Sequence, residues 1–105
     1  MELTVSTLAK HLGATGIEST GGDARFAVHG AQGGHLKVSI SGRQQRFMGV
    51  LLDANGVTRC SIDVAPVAHV TEDAAFPGRV TLHVGKTLIH IDTIPSLALE
   101  VQTIT

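Results

Sequence analysis

Six histidines in a chain of 105 residues are its chemical excess, and their spacing decides what they could do. His29 and His35 flank the glycine-rich run Gly30-Ala31-Gln32-Gly33-Gly34. If that run is a hairpin loop, the two face each other as direct cross-strand neighbours, with Cβ atoms about 4.5–5.5 Å apart. Two imidazoles at that separation can share one transition-metal ion, although such a site ordinarily takes three or four ligands and no third is evident in the sequence. His83 and His90 fall on one face of a later hairpin as diagonal neighbours, a poorer geometry for joint ligation. His11 and His69 have no assignable partner. The plain expectation for the two pairs is solvent-facing strand histidine.

The other chemistry-bearing residues form no constellation. The Gly30–Gly34 run could turn backbone N–H groups toward an anion, but phosphate loops lead into a helix N-terminus and this one leads into a strand pattern. Gly85-Lys86-Thr87 lacks the earlier glycine that a phosphate-binding loop requires. Asp63, Asp92, Glu72 and Asp73 fall at polar positions, so no pair of carboxyls is set in contrasting environments as acid–base catalysis needs. Ser39, Ser41 and Ser61 lack the strand–turn–helix setting of an activated nucleophile.

The elements that must hold these residues are strands. From Ala24 to Val64 four segments alternate apolar and polar, joined by turns at Gly30–Gly34, Gly42-Arg43 and Asn55-Gly56. A type I′ turn at Asn55-Gly56 sets Ala54 against Val57, and a type II′ turn at Gly42-Arg43 sets Val38 against Phe47 and Leu36 against Gly49. The glycine-rich loop pairs Val28 with Leu36 and Phe26 with Val38. A slip of two residues leaves the faces unchanged, because side chains alternate with period two. The inward set is therefore Phe26, Val28, Leu36, Val38, Ile40, Phe47, Leu51, Cys60, Ile62 and Val64. Arg25, His29, His35, Lys37, Ser39, Arg46, Arg59, Ser61 and Asp63 take the solvated face. Phe47 to Leu52 breaks the alternation, so Met48, Val50 and Leu52 lie apolar on that outer face and need a cover or a partner.

The flanks complete the pattern. Leu3 to Leu12 reads as a short helix capped by Thr4 or Ser6 and stopped by Gly13, its Val5, Leu8 and Leu12 stripe suited to lie over Met48, Val50 and Leu52. Its Leu-Ala-Lys-His-Leu-Gly run resembles the first helix of a helix-turn-helix, but Ala14 to Asp23 holds Gly16, Gly21 and Gly22 instead of a recognition helix. That segment is expected to be a loop or a weak strand around Ile17. Ala65 to Val70 reads as an extended edge, Thr71 to Ala75 as one helical turn in a crossover between sheets, and Phe76-Pro77-Gly78 as its stop. A type II′ turn at Gly85-Lys86 pairs Leu82 with Ile89, Val80 with Ile91, Thr81 with His90 and Arg79 with Asp92. After an Ile94-Pro95-Ser96 turn, Leu97, Leu99 and Val101 alternate as a last strand.

The sum is one mainly β domain over 1–105, an antiparallel two-layer sandwich or small barrel of about seven strands with a short N-terminal helix. Composition narrows the function classes. Aromatics at 3%, with no Trp or Tyr, leave an aliphatic core and few side chains for base stacking or sugar binding. A net charge of -1 with scattered Lys and Arg offers no basic stripe, which argues against nucleic acid. No leader-like or long apolar run argues against membrane insertion and for a cytoplasmic protein, and one cysteine permits no internal disulfide. The expectation is a non-enzymatic module, without a cofactor, that binds a protein partner or itself as a homo-oligomer through Met48, Val50 and Leu52. The alternative is a small-molecule or metal-binding β-barrel, with or without enzymatic activity, using its interior or His29 and His35.

Overall fold

A computed structural model describes residues 4–73, 75–94 and 96–104, without the side chains of Val5 and Ser6. The expected roles of Ser6 as a cap and Val5 in the apolar stripe, and of Leu3, Ala74 and Pro95 in their segments, lie outside the described residues. One helix, α1 (Val5–Leu12), is followed by β1 (Thr15–Thr20), β2 (Asp23–His29), β3 (His35–Ser41), β4 (Arg46–Leu52), β5 (Thr58–Val64), β6 (His69–Glu72), β7 (Arg79–Val84), β8 (Thr87–Asp92) and β9 (Ala98–Thr103). All neighbours pair antiparallel, in one sheet ordered β1 to β5 and another ordered β6 to β9. The sheets share no ladder among the described residues, so the expected choice between sandwich and barrel resolves to a sandwich. None of the described helices is long and apolar enough to cross a membrane.

Among the described residues nine strands stand where about seven were expected, because two weak segments gain partners. Thr15–Thr20 pairs with β2 across a bulge between Thr15 and Glu18, where Gly16 takes φ 65°. A left-handed residue there is what a glycine allows at little cost. His69–Glu72 pairs with β7, so Thr71 and Glu72 are extended and not helical as expected. β-branched Val70 and Thr71 suit a pleated strand, and Val70 turns inward. The passage between sheets is accordingly the segment 65–68, while 73–78 joins two strands of one sheet.

Three of the four predicted hairpins reveal how turn chemistry and register are linked. Val28 pairs with Leu36, and Val80 with Ile91, as the turns imply, with Gly85 at φ 57° in the type II′ position. At Asn55-Gly56 the loop has three residues closed by Asp53 N–H to Val57 O at 2.9 Å, and only Gly56 has positive φ. Asp53 Oδ1 accepts from the N–H groups of Asn55 and Val57, which favours this loop over the two-residue one. A bulge between Leu51 and Leu52 then restores the expected pairing of Leu51 with Cys60 and Phe47 with Val64.

The turn after β3 differs from expectation by two residues: Ser41 pairs with Arg46, Ile40 with Phe47 and Val38 with Gly49. Gly42 has no positive φ, so the type II′ turn does not form there; the positive φ of this four-residue loop is at its last residue, Gln45, at 50°. Gly42 instead donates its N–H to Gly22 O at 3.0 Å, with no room for a Cβ against that carbonyl. Period-two alternation keeps the inward face intact through the shift.

The two inner faces meet in an aliphatic core of Val28, Leu36, Val38, Ile40 and Phe47 against Val80, Leu82, Ile89 and Ile91, with Phe26, Val67 and Val70 at its margins. Gly49 makes room within it, since a Cβ there would sit 3.1 Å from the Phe47 ring. The helix corrects the sequence reading: Leu8, Ala9 and Leu12 are buried in this core, packed against β2 and β7, instead of lying over Met48, Val50 and Leu52. Two open-sided sheets leave a mouth between them that an amphipathic helix closes, and the inner faces offer it more apolar surface than the half-polar outer face does. Gly13 ends the helix at φ 66°, where a left-handed residue closes its last turn. Replacing fully buried Leu8 by Ala is expected to destabilise the fold by about 2–5 kcal/mol, measured by denaturant unfolding followed by circular dichroism.

Candidate functional site

With α1 in the core, the outer face of the five-stranded sheet is uncovered. Strand register arranges it in four rows, one of them Thr20, Asp23, Ser41 and Arg46 at the end away from the glycine-rich loop, and three beyond it. Of those three, Glu18, Arg25, Ser39, Met48 and Asp63 form the first, Thr15, Ala27, Lys37, Val50 and Ser61 the second, and His29, His35, Leu52 and Thr58 the third. An open hollow of about 730 Å³ lies across the first two of the three, lined by Arg25, Ala27, Lys37, Met48, Val50 and, at its end, His29. Met48 is exposed at 38%, and Val50 and Leu52 are half-buried. Leu52 lies outside the hollow, beside a smaller one of about 270 Å³ that includes Asp53, Arg59 and Leu97.

The charges on this face are unevenly satisfied. Arg46 grips Asp63 through two hydrogen bonds of 2.6 and 2.5 Å, and this contact holds the Asp63 carboxyl below its usual carboxylate range. Arg25 and Lys37 have no ion-pair partner among the described residues, although Glu18 stands opposite Arg25 in the register. Among the described residues the face thus presents an apolar strip from Met48 and Val50 flanked by two cations outside any ion pair.

His29 and His35 do face each other, with ring centroids 5.9 Å apart and planes inclined by 37°. Among the described residues no group of three or more His, Cys, Asp or Glu side chains gathers in a metal-binding arrangement, so the pair supplies two donors. Zinc sites built from protein side chains take more.

The closer histidine cluster lies on the other sheet and was not readable without β6. His69 pairs with His83, and their rings stack at 4.0 Å between centroids. His83 Nε2 meets Thr71 Oγ1 at 2.8 Å. His90, expected at the surface, is buried at 8% exposure with both ring nitrogens engaged, Nδ1 by Thr81 Oγ1 at 2.8 Å and Nε2 by Gln102 Oε1 at 3.0 Å. With the amide oxygen as acceptor, Nε2 carries the proton and Nδ1 accepts from the hydroxyl. Alternation of Val70 with His69 and Thr71 was the one sequence signal for this row. His11, the other histidine without a partner in the sequence, meets the Glu72 carboxylate through Nδ1.

The predicted Arg79–Asp92 pair forms, with hydrogen bonds of 2.7 and 3.1 Å, and Arg79 also lies 4.4 Å over the Phe76 ring. Cys60 is half-buried and free. Every described buried side-chain nitrogen and oxygen has a hydrogen-bond partner. Comparison with protein-family models, curated proteins and solved structures finds nothing that matches the chain.

Burial, and then the neighbouring charges of His69 and His90, push the His83 pKa below its ordinary 6.5. Above that pH both folded and unfolded chains hold this ring neutral. As pH falls through it, the unfolded chain takes up the proton first, so stability falls until the lower folded value is passed. Unfolding midpoints measured between about pH 7.5 and 5.5 should decline in the native chain. The decline should be smaller in His83→Gln.

Proposed function

We propose that the chain is a non-enzymatic binding or assembly module, cytoplasmic, that docks a partner protein on the outer face of the five-stranded sheet. The observation that carries this reading is the uncovered strip of Met48 and Val50, continued by Leu52, beside Arg25 and Lys37, two cations with no ion-pair partner among the described residues. Apolar surface flanked by unpaired positive charge is complementary to a segment whose apolar side chains alternate with carboxylates. The partner is therefore a polypeptide of that chemistry. Such charges act more on encounter and orientation than on raw affinity, and the apolar strip supplies the burial.

A small amphiphilic anion is the second reading, favoured by a hollow whose volume falls in the range of small-ligand sites, about 300–1,000 Å³. It would use the same two cations. His29 lies at the end of the hollow, within reach of an occupant.

The absence of Trp and Tyr makes the test direct, because a single Trp in a synthetic peptide reports binding without background. A peptide of alternating Leu and Glu should bind, and its Leu and Lys counterpart should not. Replacing Arg25 and Lys37 together by Ala should weaken binding at least about tenfold, a loss of ~1.4 kcal/mol. Val50→Asp should abolish binding without moving the unfolding midpoint. Indifference to all three substitutions sinks the reading, and binding of dodecanoate without the peptide selects the small-ligand alternative.

A further inference from the structure

A sandwich has four sheet edges, and three of these are blunted. β1 is bulged at Gly16, β5 is bulged near its start and carries Arg59 and Asp63, and β6 has only four residues. Bulges, charges and shortness are the ways an edge avoids pairing with another chain. β9, Ala98-Leu99-Glu100-Val101-Gln102-Thr103, is neither bulged nor short, and its one charge, Glu100, lies 4.0 Å from Arg79 of its own sheet. Its register with β8 is unbroken, it contains no Lys, Pro or Gly, and Glu100 to Thr103 are exposed. Val101 belongs to the inner, apolar face opposite Ile89, yet is 55% exposed because no further strand lies beyond it.

The hydrogen-bond parity of β9 can be read. Ile104 donates its N–H to Lys86 O at 2.7 Å, continuing the register that pairs Thr103 with Thr87. Antiparallel ladders alternate bonded and non-bonded pairs, so Gln102, Glu100 and Ala98 exchange bonds with β8. Leu99, Val101 and Thr103 turn their N–H and C=O groups to the open edge.

We infer that β9 pairs with β9 of a second copy of the chain, antiparallel about a twofold axis through Val101. In that register Val101 meets Val101 of the second copy, Leu99 meets Thr103, and Glu100 meets Gln102. The charge pattern selects it. A slip of two residues one way sets Glu100 against Glu100, a like-charge pair. The opposite slip carries Leu99 past the end of the facing strand. The favoured register satisfies all three outward-turned residues on each chain, covers the exposed Val101 side chains with each other, and joins the two four-stranded sheets into one continuous sheet. It stands apart from the outer face of the other sheet and does not depend on what binds there.

Light scattering with refractive-index detection tests it, since the chain absorbs little near 280 nm. The native chain should show a mass twice its 10.9 kDa. Val101→Pro removes an edge donor that β8 does not use, and Val101→Lys adds an edge charge; each should give a monomer at concentrations where the native chain is dimeric, with a circular dichroism spectrum unchanged. If Val101→Pro fails to fold, Val101→Lys decides. Val50→Asp should remain dimeric. A native chain that is monomeric up to about 1 mM overturns the inference, as does a dimer that survives Val101→Lys or is lost in Val50→Asp.

Discussion

Everything in this molecule depends on two apolar sheet faces meeting around Phe47, the largest of its fully buried side chains. The chain has three phenylalanines and no larger aromatic, so the core is built from Val, Leu and Ile, whose individual contributions are small. Filling such a core requires every strand to present its aliphatic side chains in step. Gly49 shows how closely that is done: it leaves the space that the Phe47 ring takes on the same face of the same strand. The helix serves the same end, since Leu8, Ala9 and Leu12 close the mouth between the sheets.

Because the constraint is alternation, most of the fold was legible before the structure. The inward set was recovered even where the turn chemistry was misread. At Asn55-Gly56 an Asp53 side chain that accepts two backbone N–H groups selected a longer loop, and a bulge compensated. At Gly42 the glycine served close approach to Gly22 instead of positive φ, and the slip was by two residues. What alternation cannot reveal is pairing between segments that look weak alone. Thr15–Thr20 and His69–Glu72 became strands because a neighbour supplied hydrogen bonds, which is a tertiary effect on local propensity.

The same limit governs the candidate sites. Met48, Val50 and Leu52 were visible as a break in alternation, and their outward direction followed from register. Whether anything covered them depended on where a short amphipathic helix goes, and both available surfaces are apolar enough on paper. The deciding fact is that the outer face carries Arg25, Lys37 and Ser39 among its apolar residues, whereas the centre of the inner faces, from Val28, Leu36 and Val38 to Leu82, Ile89 and Ile91, is continuously apolar. The stacked His69 and His83 were hidden for a simpler reason, since half of the pair lay on an unrecognised strand.

Aromatic scarcity also shapes how such a chain can bind. Phe26 and Phe47 are spent in the core and Phe76 lies under Arg79, so the anchors that usually dominate interfaces are lacking on the outer face of the five-stranded sheet. Two resources remain. Aliphatic side chains beside unpaired cations give modest burial with oriented charge, and an unprotected strand edge gives main-chain hydrogen bonds that need no large side chain at all. The first recognises a charge pattern, while the second recognises any compatible strand. A chain that uses its few aromatics for folding is left to recognise partners through backbone and charge, and the structure keeps one of each exposed: the β9 edge and the Arg25–Lys37 face.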